Sequence, residues 1–463
     1  MNLNNYKRFH FVGIGGVGMR ALAKIMIDKG YMISGSDNVY SSELENLRKL
    51  GVEIFVGHNP QNIKNADVLI VSTAISKNNS EVLEAKKHKI PVFHRSDLLA
   101  AILCGGKSIC VAGAHGKSTT SAMIGKVFCD AEKHPTVVLG GKVDYLNGNS
   151  IFGNGEFVIA EADESDGSFL KFNPFISVIT NIEDDHLDHY LTVENIKNAF
   201  IKFINQTDKI NGNTILCIDN ESVKSILPKL DENSYITYGT SDNAEYKAIN
   251  KRYIDSYMMF DVYHKESFLG TVSLMIPGTH NVRNALAALV TGLICGIDFK
   301  TIAKSLMEFN GVKRRFQIKY SGEVKIVDDY AHHPTEIMST LKAAKECGKH
   351  RVICAFQPHR YSRTNLLKYE FANAFDNADI IFITDIYSAG EKPINGISGK
   401  TLVDLIKEKH PTKKITYIKN MEDLPEAIKN EMQKDDMIIT MGAGNIYRVG
   451  EDLIMSIKER DND

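Results

Sequence analysis

Between positions 113 and 120 the chain reads Gly-Ala-His-Gly-Lys-Ser-Thr-Thr, residue types suited to holding a chain of phosphates. Gly113 and Gly116 let backbone N–H groups turn toward an anion, Lys117 carries a cation that reaches terminal phosphates, and Ser118 offers a hydroxyl to a metal ion. The common phosphate-loop pattern asks for a glycine where this chain has Val111, so the loop is a shortened variant. An ordinary glycine turn is the plainer alternative, and Gly-Lys-Ser at a helix start argues against it. The chemistry expected is ATP binding, with Gly113, Ala114, His115, Gly116, Lys117, Ser118 and Thr119 around the phosphates.

Two acidic runs follow. FVIAEADESD puts Glu161, Asp163, Glu164 and Asp166 at the end of an apolar strand, and ISVITNIEDDHLDH delivers Glu183, Asp184, Asp185, His186, Asp188 and His189 in the same manner. Crowded carboxylates repel one another unless a cation is present. Magnesium takes hard oxygen ligands, keeps several waters and needs only one or two carboxylates beside the phosphates. The histidines raise zinc, but their neighbours are carboxylates with no partnering cysteine, which favours magnesium or manganese. Either run alone reads as a solvated turn capping the next helix. Both following one phosphate loop point to a metal–ATP site.

Alternating strands and helices must position these groups. Residues 108–112 read as a buried strand and 118–131 as an amphipathic helix, with the loop between them. The first segment, 1–106, carries Gly13, Gly15 and Gly18 in G-x-G-x-x-G spacing between a strand and a helix, and Asp37 closes the next strand about twenty residues on. That pattern fits an NAD-dependent oxidoreductase with Asp37 on a ribose. The later phosphate loop argues against it, because a redox enzyme has no evident need of a metal–ATP site. The central segment, 107–316, alternates like a doubly wound parallel sheet, and its polar stretch from Asp231 to Leu269 reads as a small antiparallel insertion. The last segment, 317–463, alternates again. Its strand ends carry Asp328, Asp329, His332 and His333, then His359, Arg360 and Arg363, then Gly442, Gly444 and Asn445. Ligands of such sheets bind at the C-terminal ends of strands.

Composition limits the alternatives. A chain of 463 residues makes roughly three domains of ordinary size. The formal net charge of −2 provides no global basic field for nucleic acid. No apolar stretch approaches a membrane span and the N-terminal region runs straight into a strand, RFHFVGIG, so a cytoplasmic protein with no membrane partner is expected. The 7 cysteines include no C-x-x-C pair, which fits reduced thiols without assigned chemistry.

In order along the chain, GIGGVGM, GAHGKST, EADESD, NIEDDHLDH, HNVRNALAA, RRF, VDDYAHHPTE, FQPHRYSR and GAGN resemble the Mur ligases, the ATP-dependent amide-forming enzymes of peptidoglycan precursor synthesis. The resemblance covers essentially the whole chain. The family loop usually reads GTHGKTT; Ser118 keeps the metal-binding hydroxyl, and Ala114 loses one that only tunes the loop. The resemblance implies an α/β protein of three domains: a Rossmann-like UDP-binding domain, a central P-loop-type ATPase domain and a C-terminal Rossmann-like domain. It implies that L-alanine is joined to UDP-N-acetylmuramate, with attachment of an intact tripeptide to the same sugar as the nearest rival, by a monomer or homodimer.

The resemblance also distributes roles. Gly13, Gly15, Gly16 and Gly18 would cradle the UDP pyrophosphate, with Asp37, Ser72 and Thr73 beside them and His58 a weaker candidate. Lys117, with a magnesium ion held by Ser118, Glu161 and His186, would neutralise the transferring phosphoryl group. His280 and Asn284, four apart at a helix start, would read the adenine. Arg315 would anchor a phosphate or carboxylate, Asp329 and His332 would lie near the ribose and phosphates, and His333, His359 and Arg360 near the muramoyl carboxylate or the incoming alanine. Sibling ligases use a carbamylated lysine at the position of Phe200, so no carbamylation is expected at Lys197 or Lys202.

Overall fold

The computed structural model describes residues 1–183, 187–254, 257–348 and 351–462. The chain is an α/β protein folded into two compact units. One comprises Met1–Asn250, Phe260–Val272 and Arg283–Phe309, the other Lys251–Met259, Ser273–Val282 and Asn310–Asp463. Among the described residues the strands form three sheets.

The first unit opens with a parallel sheet in the order Glu53–Val56, Met32–Asp37, Arg8–Val12, Val68–Val71, Val92–His94. Short apolar runs such as Phe9, Phe11 and Val12 are fully buried, as strands covered on both faces require. Helices enter and leave with their own caps: Ser41 accepts from Leu44 N–H, and Asn79 from Glu81 and Val82 N–H. The helix Val17–Asp28 packs on the strand Thr136–Val143 of the next sheet, where Lys24 Nζ donates to the Ser150 carbonyl at 3.1 Å.

At the centre of the second sheet, Asn213–Cys217, Ile176–Ile179, Lys107–Ala112, Phe157–Glu161 and Thr136–Val143 lie side by side, all parallel. Ile109, Cys110, Val111 and Ala112 are fully buried, and burial of Ile109 and Val111 contributes about 1.5–3 kcal/mol each. Lys107–Ala112 thus ends the phosphate loop's approach on a rigid central strand. Phe200 belongs to the same apolar core, beside Phe169.

The polar stretch expected as an antiparallel insertion begins differently. Tyr235–Gly239 pairs parallel with Asn213–Cys217, and Tyr246 and Lys247 pair parallel with Tyr238 and Gly239, so these strands extend the central sheet. Alternation of apolar and polar residues specifies a half-buried strand but leaves its direction open. Tyr257–His264 and Ser267–Leu274 continue the same sheet.

The second unit holds a sheet in the order Gln317–Ser321, Lys325–Asp329, Met437–Met441, Val352–Phe356, Ile380–Ile383, Lys414–Tyr417. It is parallel except at its first strand. No described helix is long and apolar enough to cross a membrane. Cys110, Cys217, Cys347 and Cys354 are buried free thiols, and burial pushes the Cys217 and Cys347 thiols up to about 11.

Candidate active site

The phosphate loop runs from the end of Lys107–Ala112 into the helix Lys117–Asp130. Gly113 has φ +136°, and a Cβ there would fall 2.2 Å from Thr180 Oγ1; Gly116 has φ +83°, and a Cβ would fall 2.7 Å from Asn284 Oδ1. Only glycine satisfies both demands. The neighbouring strand end supports the loop from below. Asn181 Oδ1 accepts from His115 N–H at 2.9 Å, and the Thr180 hydroxyl and Asn181 amide both donate to the His115 carbonyl. The His115 ring lies 3.1 Å from Glu183. Thr119 is buried in the first turn of the helix.

Lys117 Nζ donates to Glu164 at 2.8 Å, and to the carbonyls of Gly113 and Ala114. Burial alone would lower its pKa, but Glu164, Asp163 and Glu161 outweigh that and raise it, so the side chain is a cation. The Ser118 hydroxyl donates to Glu161 at 3.0 Å, while Gly140 N–H donates to the other oxygen of Glu161. A hydroxyl and a carboxylate side by side make a pair of hard oxygens that suits magnesium, which needs few protein ligands. His186, the third expected metal ligand, lies outside the described residues.

Asn284, expected at the adenine, also touches the phosphate loop. Its Oδ1 accepts from Thr120 at 3.1 Å and presses on Gly116, so the residue is packed under the phosphate loop. His280 stands in the first turn of the helix Thr279–Ile294, with Nδ1 2.8 Å from where a Gly278 Cβ would be.

The glycine-rich turn of the first sheet is held by its own hydrogen bonds. Gly13 N–H donates to the Ser36 carbonyl, Gly16 N–H to the Gly13 carbonyl, and Gly15 N–H to Asp37 Oδ2 at 2.9 Å. The amides of Gly13, Gly15 and Gly16 thus shape the turn, and Asp37 closes it. Backbone N–H groups that point outward lie one step on, in the first turn of Val17–Asp28. Ser72 follows the adjacent strand Val68–Val71, and Thr73 bonds both His94 and Asp166 at 3.1 Å. His58 Nδ1 lies 3.0 Å from Ser36 Oγ and 3.1 Å from buried Glu81, whose carboxyl His10, Ser36 and Asn62 hold down at about 2 against burial.

In the second unit three strand ends meet as neighbours: those of Lys325–Asp329, Met437–Met441 and Val352–Phe356. Asp329 accepts from Phe316 N–H (2.8 Å), Ala331 N–H (2.7 Å) and the Thr340 hydroxyl (3.2 Å); burial pushes its carboxyl up to about 6 against the pull of Arg315. Both of its oxygens thus bond within the unit. Arg315 is paired with Glu336 at 3.2 Å, and Glu336 also accepts from the N–H groups of His332 and His333. His333 caps the helix Pro334–Glu346. The His332 and His359 rings lie 5.9 Å apart, and Tyr387 stacks on His359. Burial and the neighbouring arginines hold both imidazoles down at about 4, so they are neutral near pH 7. Arg360 sits at φ +71°, a strained conformation for a side-chain-bearing residue, fixed by its N–H bond to the Tyr387 carbonyl. Gly444 admits the Gln357 side chain, which makes two hydrogen bonds with Asn445.

Family models match nearly the full length: "Mur ligase family, catalytic domain" over residues 8–106, "Mur ligase middle domain" over 111–292 and "Mur ligase, glutamate ligase domain" over 314–444. The chain belongs to the Mur ligase family. It is an ATP-dependent ligase that forms an amide bond. UDP-N-acetylmuramate–L-alanine ligases from Dictyoglomus turgidum and Pelotomaculum thermopropionicum are 45% and 44% identical to it, aligned over 97% and 99% of both partners in each comparison. The crystal structure of UDP-N-acetylmuramate-alanine ligase from Thermotoga maritima superposes with TM-score 0.83 at 30% identity, covering 98% of this chain and 99% of that one. A murein peptide ligase from Psychrobacter arcticus shares the fold at TM-score 0.69 and 22% identity.

Within this Mur ligase, three groups escaped the motif reading. Thr180 and Asn181 hold the phosphate loop from a strand more than sixty positions away, which no local pattern reveals. Glu336 was within reach, since His-x-x-Glu is the spacing of a capping box. Arg95, at the start of the helix Arg95–Leu103, donates to Asp163 at 2.7 Å and carried no motif at all.

Proposed function

We propose that this Mur ligase joins L-alanine to the carboxylate of UDP-N-acetylmuramate with ATP, giving UDP-N-acetylmuramoyl-L-alanine, ADP and phosphate in peptidoglycan precursor synthesis. The observation that carries the reading is identity of 44–45% over 97–99% of relatives bearing that activity in their names. The phosphate loop with its paired Lys117 and Ser118–Glu161 supplies the chemistry.

An amine does not displace oxide from a carboxylate near neutral pH. The substrate carboxylate oxygen therefore attacks the γ-phosphorus of ATP, the bond to the β–γ bridging oxygen breaks and ADP leaves. The alanine nitrogen then attacks the acyl carbon, phosphate departs with the electron pair of the C–O bond, and the nitrogen loses a proton. Both partners of the first step are anionic, so the protein must position them and neutralise charge. Lys117 is the cation at the phosphate loop, and Ser118 and Glu161, with His186, would hold a magnesium ion there. When bound, that ion neutralises phosphate oxygens. In the second unit, neutral His332 and His359 with Arg360 and Arg363 form a surface for a carboxylate, and the amide-forming step belongs there. The functional segments would be 1–106 for the UDP-sugar, 107–316 for ATP and 317–463 for ligation, in a cytoplasmic protein.

ADP release from magnesium–ATP in the presence of UDP-N-acetylmuramate tests the reading, with L-alanine, glycine, L-serine or L-Ala-γ-D-Glu-meso-diaminopimelate added separately. Release led by L-alanine is expected. Release led by the tripeptide would transfer the enzyme to the recycling reaction, and none with any of them would remove the ligase assignment.

A further inference from the structure

Glu81 is a buried carboxylate that no step of the proposed reaction uses. It sits in the first turn of the helix Ser80–Lys87, closed off from solvent. Its Oε2 accepts from the Ser36 hydroxyl at 2.6 Å and lies 3.1 Å from His58 Nδ1. Its Oε1 accepts from the Asn62 amide at 2.6 Å and from Asn59 N–H at 3.4 Å, with His10 Nε2 at 3.7 Å. A charge taken out of water persists only where donors replace its hydration. Burial pushes this carboxyl up, and the hydrogen bonds of His10, Ser36 and Asn62 outweigh it. Glu81 is therefore an anion that can only accept.

The places of these donors in the first sheet give the carboxylate its purpose. Strand order reverses between Arg8–Val12 and Val68–Val71, and ligands of such sheets bind beyond the strand ends at that point. Ser36 ends the neighbouring strand, and its carbonyl accepts from the N–H groups of Gly13 and Ile14, which fixes the glycine turn. His58 follows Glu53–Val56, and Gly57 N–H, one residue before it, donates to the Asp37 carbonyl. Glu81 comes from the helix after Val68–Val71, so it ties one side of the reversal to the other.

The same contacts decide where His58 carries its hydrogen. Ser36 spends its hydroxyl hydrogen on Glu81, so neither oxygen beside His58 Nδ1 offers a proton, and Nδ1 must donate. In the neutral ring Nε2 then holds a lone pair. The His58 side chain keeps 14% of its surface exposed, so the ring is within reach of a ligand at these strand ends.

We propose that Glu81 is a positioning residue for the uridine of the UDP-sugar: it holds His58 as the Nδ1–H tautomer, so that Nε2 accepts from a uridine donor, and through Ser36 it steadies the glycine turn. The inference rests on the ligase reading above. Uridine carries such donors in the N3–H of its base and in its ribose hydroxyls. The other tautomer would set a donor against a donor.

Glu81→Gln tests this because it keeps the shape and reverses one set of bonds. Asn59 N–H and the Asn62 amide, which also donates to the Gly57 carbonyl, retain the glutamine oxygen, so its NH2 group faces Ser36 and His58. Nitrogen NMR of protein labelled at its histidines should show wild-type His58 as Nδ1–H, with Nε2 shifting when UDP is added. Glu81→Gln should show Nε2–H. The KM for UDP-N-acetylmuramate should rise about tenfold, the scale of one mismatched hydrogen bond, with kcat and the KM for ATP within about twofold. Calorimetry with UDP and CDP then locates the donor. A CDP affinity that Glu81→Gln leaves unchanged or improves assigns it to N3–H, and equal weakening of both assigns it to the ribose.

Wild-type His58 as the Nε2–H tautomer overturns the proposal. So does a KM for UDP-N-acetylmuramate equal to wild type in Glu81→Gln, or a matching loss in kcat and in both KM values, which would make the network merely structural. If Glu81→Gln does not fold, as circular dichroism would show, the wild-type tautomer and the response of Nε2 to UDP still decide. A wild type that releases no ADP with UDP-N-acetylmuramate sinks the ligase reading; a wild type that turns over while Glu81→Gln keeps its KM sinks the Glu81 role alone.

Discussion

The ammonium of Lys117 and the carboxylate of Glu164 lie 2.8 Å apart, with the Glu164 side chain almost fully buried. The lysine is thus aimed into its own loop by a partner from the acidic run, and its raised pKa keeps the charge in place. Lys117→Met should lower ADP release about a hundred- to a thousandfold, the scale for removing one preorganised donor from a transition state. UDP-N-acetylmuramate affinity, measured by calorimetry, should stay within about twofold, since no contact of the glycine turn passes through Lys117. Loss of both together would show that the lysine holds the unit together instead of serving ATP.

Gly116 offers a sharper geometric test. An added methyl would sit 2.7 Å from Asn284 Oδ1 on a backbone at φ +83°. Gly116→Ala should therefore destabilise the protein by about 1–2 kcal/mol from the backbone alone, with more from the clash. Adding Asn284→Ala removes the obstacle but not the strain, so the double variant should recover part of the lost stability in denaturant unfolding. No recovery would mean that Asn284 does not support the loop.

What the sequence reveals follows how local each feature is. Lys117, Ser118 and Glu161 were readable because glycine spacing and acids at strand ends are written in consecutive residues, and the fold brings Ser118 and Glu161 to 3.0 Å. The alternation of strands and helices gave the sheets for the same reason. What stays hidden is the partner a side chain finds far along the chain. Asp37 and Asn284 have the residue types of nucleotide contacts, and the fold also has one close the glycine turn and the other bear on Gly116. Asp329 likewise spends its oxygens on Phe316, Ala331 and Thr340. Spacing tells which face a residue occupies and stays silent about which donor reaches it first.

Glu336 ties the loop of the second unit to its helix. It accepts from the His332 and His333 amides and from Arg315, so one carboxylate sets the direction of three expected site residues. Glu336→Ala should lower stability by about 1–3 kcal/mol through the lost cap and the unpaired donors. It should also reduce kcat more than Glu336→Gln, which can keep a bond to an amide. Equal kcat for the two variants and wild type would confine Glu336 to capping.

The histidines of that unit give the protein an acid-sensitive term with a definite sign. His332 and His359 are held down at about 4, first by burial and then by neighbouring charges, whereas an unfolded histidine titrates near about 6.5. As pH falls through about 6.5 the unfolded chain takes up protons that the folded one refuses. The contribution of the neutral imidazoles is therefore complete above about 6.5 and drains away as pH approaches 4. Asp329 opposes this: raised to about 6, it holds a proton in the folded state before the unfolded chain does, and gains stability over part of the same window. The test is a comparison of variants and not of wild type alone. His359→Gln should flatten the fall in unfolding free energy between pH 6.5 and about 4 relative to wild type, in urea titrations at a series of pH values. An unchanged slope would mean that the His359 ring is already solvated and titrates alike in both states.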